Sequence, residues 1–134
     1  MTEQSSLEQP NIEDILKNLS KKIGDGIIGS IIIWMENGLI MGSHRRSEQD
    51  VIERIATSVV TSLGIAQTLS KGLQEKFVTH TYIQFEKKCI IISAINQKMV
   101  LAVVAEDQSK LGPTLYWSKE VIPKLRSILE DKEF

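Results

Sequence analysis

The chain has 134 residues, 42% of them apolar and 25% charged, with a formal net charge of −1. That length supports one domain with its own core. The near-neutral balance excludes a general electrostatic pull toward nucleic acid or an anionic membrane. A lone Cys89 rules out an internal disulfide and fits a reducing compartment. The opening Met-Thr-Glu-Gln-Ser-Ser lacks the regions of a signal peptide. No apolar run nears the ~18 residues of a membrane span. The expectation is a cytoplasmic protein, not inserted in a membrane.

Residues 1–10 are polar, end at Pro10 and read as a flexible tail, leaving 11–134 as a single domain. Asn11 is a good N-cap for a first helix, with Glu13 and Asp14 in its first turn. Ile12, Ile15, Leu16, Leu19 and Ile23 share one face, and Gly24 stops the helix. Ile27 to Met35 is apolar on both alternations, as in a strand covered on both sides. Asn37-Gly38 between apolar runs signals a tight hairpin in which both turn residues take positive φ, followed by a short strand at Leu39-Ile40-Met41.

Ser47 caps the next helix, with Glu48 and Asp50 in its first turn and Gly72 as its C-cap. Val51, Ile52, Ile55, Ala56, Val59, Val60, Leu63, Ala66 and Leu69 cover about half its circumference. Residues 55–70 carry no charge at all. A surface helix normally keeps a charged face toward water; here Thr, Ser, Gly and Gln stand where charges belong. Ile52, Ile55, Val59, Leu63 and Ala66 are expected to face the chain's own sheet. The rest of the helix is left for a second protein, with candidate contacts at Val51, Thr57, Ser58, Val60, Thr61, Gly64, Ile65 and Thr68. A close approach by a neighbouring backbone would explain Gly64, which costs about 1 kcal/mol against Ala inside a helix.

Phe77 to Glu86 alternates as a strand, with Thr79, Thr81 and Ile83 facing one way and Val78, His80, Tyr82 and Gln84 the other. Lys87-Lys88 and Asn96-Gln97-Lys98 suit turns, so Cys89–Ile95 and Met99–Ala105 complete an antiparallel meander. Thr79 and Thr81 join the candidate interface, because the Phe77–Glu86 strand would otherwise be an unprotected edge. Gly112-Pro113 opens a last helix carrying Leu115, Val121, Ile122, Leu125, Ile128 and Leu129; Pro123 either kinks it or restarts it.

Catalytic motifs fail on context. Gly24-Asp-Gly26-Ile-Ile-Gly29 matches GxGxxG, yet follows a helix and enters a strand, the reverse of a dinucleotide fingerprint. His44, His80 and Cys89 have no metal-ligand spacing. With Lys87-Lys88 as the turn, residues summing to 175 pair, so Cys89 opposes Glu86 and His80 opposes Ile95, roughly 20 Å apart at ~3.3 Å per residue. No nucleophile elbow or P-loop is present. No enzyme activity or cofactor is expected. His44-Arg45-Arg46 forms a loop cluster, solvated or able to reach a phosphate on a partner. Trp34 belongs in the core, and Trp117, off the main apolar face of its helix, is a candidate contact.

Gly26-Ile-Ile-Gly29-Ser-Ile-Ile-Ile33, Asn37-Gly38-Leu-Ile40, the uncharged central helix and the Leu111-Gly112 step together resemble the roadblock / dynein light chain family, over residues 12 to 130. The ten-residue tail and Pro123 depart from it. The resemblance implies an α+β, profilin-like sandwich: a five-stranded antiparallel sheet in the order 2-1-5-4-3, the central helix on one face, the first and last helices on the other. It also implies a non-enzymatic homodimer, formed through the central helix and the edge strand after it, that binds and regulates or scaffolds a small Ras-like GTPase. Arg45, Arg46 and Trp117 are then the candidate GTPase contacts. Two further readings are an adaptor subunit without GTPase contact, and a profilin- or PAS-like small-molecule sensor whose pocket is lined by Tyr82, His80 and Cys89.

Overall fold

Asn11 starts the first helix as its residue type predicts: its Oδ1 accepts the Asp14 N–H at 2.8 Å. The computed structural model describes residues 11–45 and 49–130, for 49–53 the backbone alone. In chain order the elements are α1 (Ile12–Ile23), β1 (Ile27–Trp34), β2 (Leu39–Arg45), α2 (Gln49–Gly72), β3 (His80–Gln84), β4 (Cys89–Ala94), β5 (Met99–Ala105), a 3₁₀ turn (Gln108–Lys110) and α3 (Leu111–Glu130). The strands form one antiparallel sheet in the order β2-β1-β5-β4-β3. The expected α+β sandwich is the observed one.

Two apolar layers cover the sheet, which is why β1 and β5 read as apolar on both alternations. On one face Leu16, Leu19, Ile32, Ile91, Leu101 and Leu125 pack α1 and α3 against the strands. On the other Ile31, Ile33, Ala56, Val59, Leu63 and Ile92 seat α2. Trp34 is half-buried against the first layer. At roughly 1.5–3 kcal/mol for each fully buried large aliphatic side chain, these layers supply most of the drive to fold.

The departures are local. The β1–β2 connection is a four-residue loop, with Trp34 paired to Leu39. Only Gly38 has positive φ, at 74°; Asn37 instead accepts the Leu39 N–H through its side chain at 2.9 Å. That side-chain bond holds the turn without the left-handed pair of a two-residue hairpin. β2 runs on through His44 and Arg45, so these are strand residues rather than loop. Gly42 in that strand lets α1 lie against it, since a Cβ there would collide with Ile12.

The C-terminus of α2 closes on Gln74, not on Gly72. Gln74 has φ 62°, the Glu75 N–H reaches Ser70 O at 2.9 Å and the Gln74 N–H reaches Lys71 O at 3.0 Å, a Schellman closure. β3 is shorter than the alternation suggested, and its register differs by two. Gln84 opposes Cys89 and His80 opposes Ser93, because the Phe85 N–H bonds Lys88 O at 2.8 Å and four residues make the turn. Finally, α3 passes through Pro123 without restarting. Leu125 and Leu129, beyond the proline, are fully buried, and the Arg126 Nε–H donates to Ile95 O at 2.9 Å. That packing offsets the ~3 kcal/mol an interior proline costs. Ser47 and Glu48 lie outside the described residues.

Candidate partner-binding face

α2 turns Ile55, Val59 and Leu63 toward the sheet, as their spacing predicts, with Val59 and Leu63 buried and Ile55 half-buried; Ala66 is half-buried one turn further on. The opposite side is exposed: Thr57, Ser58, Thr61, Gly64, Ile65 and Thr68 all face outward. Thr61 donates its hydroxyl to Thr57 O, and Thr68 to Gly64 O, both at 3.2 Å. With each donor occupied within the helix, these threonines offer methyl groups to the outside. The outward side is therefore less polar than its letters suggest. The side chains of Val51 and Ile52 lie outside the described residues, and Val60 is a half-buried flank beside Gly38.

The last turns of α2 extend the outward side with exposed apolar residues. Leu69, part of the apolar half-circumference but assigned to neither side, is 67% exposed, as is Ile65, and Leu73 just beyond is 74% exposed. The three are spaced by four, so they form a stripe continuous with the threonine side. The signal was present in that i, i+4 spacing, but an apolar half-circumference left its edges undefined. Among the described residues, leaving aside α2's own backbone, nothing lies within 4 Å of where a Cβ on Gly64 would sit, so no neighbouring backbone among them explains the glycine.

β3 lies at one margin of the sheet. The Phe85 N–H donates to Lys88 O and the Ala94 N–H to Thr79 O, so by antiparallel alternation the backbone groups of His80, Tyr82 and Gln84 point outward from the sheet. Thr79 is exposed and Thr81 half-buried. Among the described residues, the edge thus offers a row of outward-pointing donors and acceptors with no neighbouring strand.

The remaining candidates are dispersed. Arg45 pairs with Gly29 in the register that puts Ile31 under α2. Trp117 sits on the other sheet face, half-buried between α1 and α3, with Lys22 Nζ 4.9 Å above its ring. The structure does not bring these two together, and Arg46 lies outside the described residues. His80 and Tyr82 border an open groove, whereas Cys89 is enclosed in the core, so the three do not share a small-molecule pocket. Burial pushes the Cys89 thiol above its ordinary pKa, and the thiol donates to Asp107 O at 3.5 Å. His80 Nδ1 lies 3.3 Å from Ser93 Oγ; four strand residues, about 13 Å, separate it from the position opposite Cys89. Hydrogen bonds from the Ser109 hydroxyl and N–H hold the Asp107 carboxyl below its usual range, as befits a cap on the 3₁₀ turn. Among the described residues no group of three or more His, Cys, Asp or Glu is placed to hold a metal, and no helix is long and apolar enough to cross a membrane.

No protein-family model matches the sequence, and no curated protein matches it with significance. Solved structures do. Myxococcus xanthus MglB superposes with a TM-score of 0.79 at 17% identity, over 90% of this chain and 95% of that one. The gliding protein MglB from Thermus thermophilus gives 0.76 at 17% identity, over 88% and 87%. A Roadblock/LC7 domain from Streptomyces avermitilis gives 0.70 at 13% identity, over 86% and 98%. The chain has a Roadblock/LC7-type fold.

Proposed function

We propose that this chain is a non-catalytic, cytoplasmic, single-domain protein that pairs with a second copy of itself and serves as a platform that binds and regulates, or scaffolds, a small Ras-like GTPase. The observation that carries the reading is the charge-free outward side of α2, ending in exposed Ile65, Leu69 and Leu73, together with a β3 strand at the margin of the sheet. A two-fold contact satisfies both at once, since the same patch serves each partner. Val51, Thr57, Ser58, Val60, Thr61, Gly64, Ile65, Thr68, Thr79 and Thr81 form or flank this interface. Burial of ~800 Å² per partner would make it a standard one.

The likeness to MglB and to a Roadblock/LC7 domain supports placing the chain with that family, whose resemblance supplies the GTPase partner. Arg45, Arg46 and Trp117 are the contacts assigned to it, cationic or aromatic groups of the kind that engage phosphate or anchor interfaces. Calorimetric titration of the full chain against each purified Ras-like GTPase of the source organism, loaded with GDP or a GTP analogue, tests this. Binding to one of them that depends on the nucleotide is expected. Absence of binding in either state leaves the adaptor role and defeats the GTPase role.

A further inference from the structure

A second surface lies on the opposite sheet face, in the angle between α3 and the β3–β4 pair. Two hollows of about 470 and 680 Å³, both lined by His80 and Lys119, lie end to end as one open trough. Its walls are mainly apolar: Ile91, Leu111, Leu115, Ile122 and the ring of Tyr116, which is 58% exposed. From Leu111 to Arg126 it follows α3 over a rise of about 22 Å at 1.5 Å per residue.

Its charge is one-sided. Lys119 and Arg126 are the charged side chains along it, His80 sits where the halves meet, and no carboxylate lines either half among the described residues. That stands out in a chain whose 17 acidic residues outnumber its 16 basic ones. An enclosed pocket would suit a small ligand; this trough is open along its length and matches a helix of about four turns. Exposed aromatics such as Tyr116 and Tyr82, at 39%, are the residue types that anchor such contacts.

We propose that this trough docks an acidic amphipathic helix of a partner protein, its apolar stripe on Leu111, Leu115 and Tyr116 and its carboxylates against Lys119 and Arg126. Helix-in-groove recognition of this kind reads apolar anchors at i, i+3, i+4 and i+7, and the flanking cations select the partner's charge. The trough meets the proposed self-pairing surface only at the β3 edge, where Thr79 and Thr81 line it; its α3 wall lies on the sheet face opposite α2.

Three helical peptides of about 15 residues with one common Leu stripe test it, the other positions filled with Glu, Gln or Lys. Fluorescence anisotropy against the full chain should rank them Glu, Gln, Lys, the first tighter than the last by at least ~10-fold at low salt, with the gap closing at high salt. Lys119→Glu should erase or invert the ranking. Tyr116→Ala should weaken all three, both variants keeping wild-type circular dichroism. Amide shifts on titration should fall on β3 and residues 111–126. Equal affinities for the three peptides, or shifts confined to α2 or to the Trp117 side of α3, would overturn the proposal. So would phosphatidylserine vesicles binding through Lys119 where the Glu peptide does not, which would make the trough a membrane contact.

Discussion

Gly64→Ala separates the free chain from the paired one. Gly64 is exposed in the interior of α2, and a Cβ there meets nothing within 4 Å among the described residues outside the helix's own backbone. In the isolated chain the substitution should therefore gain about 1 kcal/mol through helix propensity and reduced freedom of the unfolded state, roughly 3–6 °C in Tm at this size. In the proposed pair, α2 meets the α2 of a second copy at its small-residue side. There an added methyl overpacks the contact at ~1–3 kcal/mol, and symmetry applies it twice. The net loss of ~2–6 kcal/mol weakens dimerisation by about 30-fold or more. A monomeric reference comes from Thr61→Arg. Thr61 is exposed and its hydroxyl bonds only locally to Thr57 O, so the arginine should change the monomer by no more than ~0.5 kcal/mol while placing two like charges in the contact. Urea unfolding and sedimentation are then run on wild type, each variant and the double variant. Equal stabilisation by Gly64→Ala in both backgrounds, with an unchanged dimerisation constant, would refute the helix-to-helix contact at Gly64.

Other expectations follow from single positions. Gly42→Ala should destabilise the fold by ~1–3 kcal/mol in urea melts, because its Cβ would collide with Ile12 of α1; an unchanged midpoint would mean α1 shifts without cost. Gln74→Gly should stabilise by ~0.5–1 kcal/mol, since Gln74 holds φ 62° at the end of α2; a loss would show that its side chain matters more than its backbone. Leu63→Glu should cost more than ~3 kcal/mol by burying an unpaired charge where Leu63 is 3% exposed. Cys89, fully buried with its pKa raised by burial, should resist iodoacetamide at neutral pH and react only as urea unfolds the chain; fast labelling of the native protein would contradict its enclosure.

Much of the fold was legible in the sequence because periodicity carries it. The 3.6-residue stripe of α1 and the doubly apolar runs of β1 and β5 mark two-sided burial directly, and the element order with the resemblance supplied the strand order. The turns were less legible. Asn37-Gly38 matches a two-residue hairpin by letters, but the Asn37 side chain bonds the Leu39 amide and a four-residue loop results. Phe85 to Lys88 likewise closes four residues, which moved the β3–β4 register by two while keeping every side chain on its expected face. Gln74 could not be foreseen as the left-handed residue, because glycine is the usual occupant and Gly72 lay two positions earlier.

The site was legible in outline. A missing charge is a sequence property, and it located the outward side of α2. Its apolar end was not, because Leu69 fell within the apolar half-circumference without being placed on either side, and Leu73 lay past the expected C-cap at Gly72. The trough beside α3 was also out of reach. It joins Leu115, Tyr116 and Lys119 to His80 and Ile91 through the β3–β4 register, and the pairing inferred from Lys87-Lys88 was two residues off.

The solution mass of the full chain tests self-pairing most directly. Sedimentation equilibrium over micromolar concentrations should give twice the chain mass of 15.1 kDa, about 30 kDa. A single species of 15.1 kDa across that range would contradict the account.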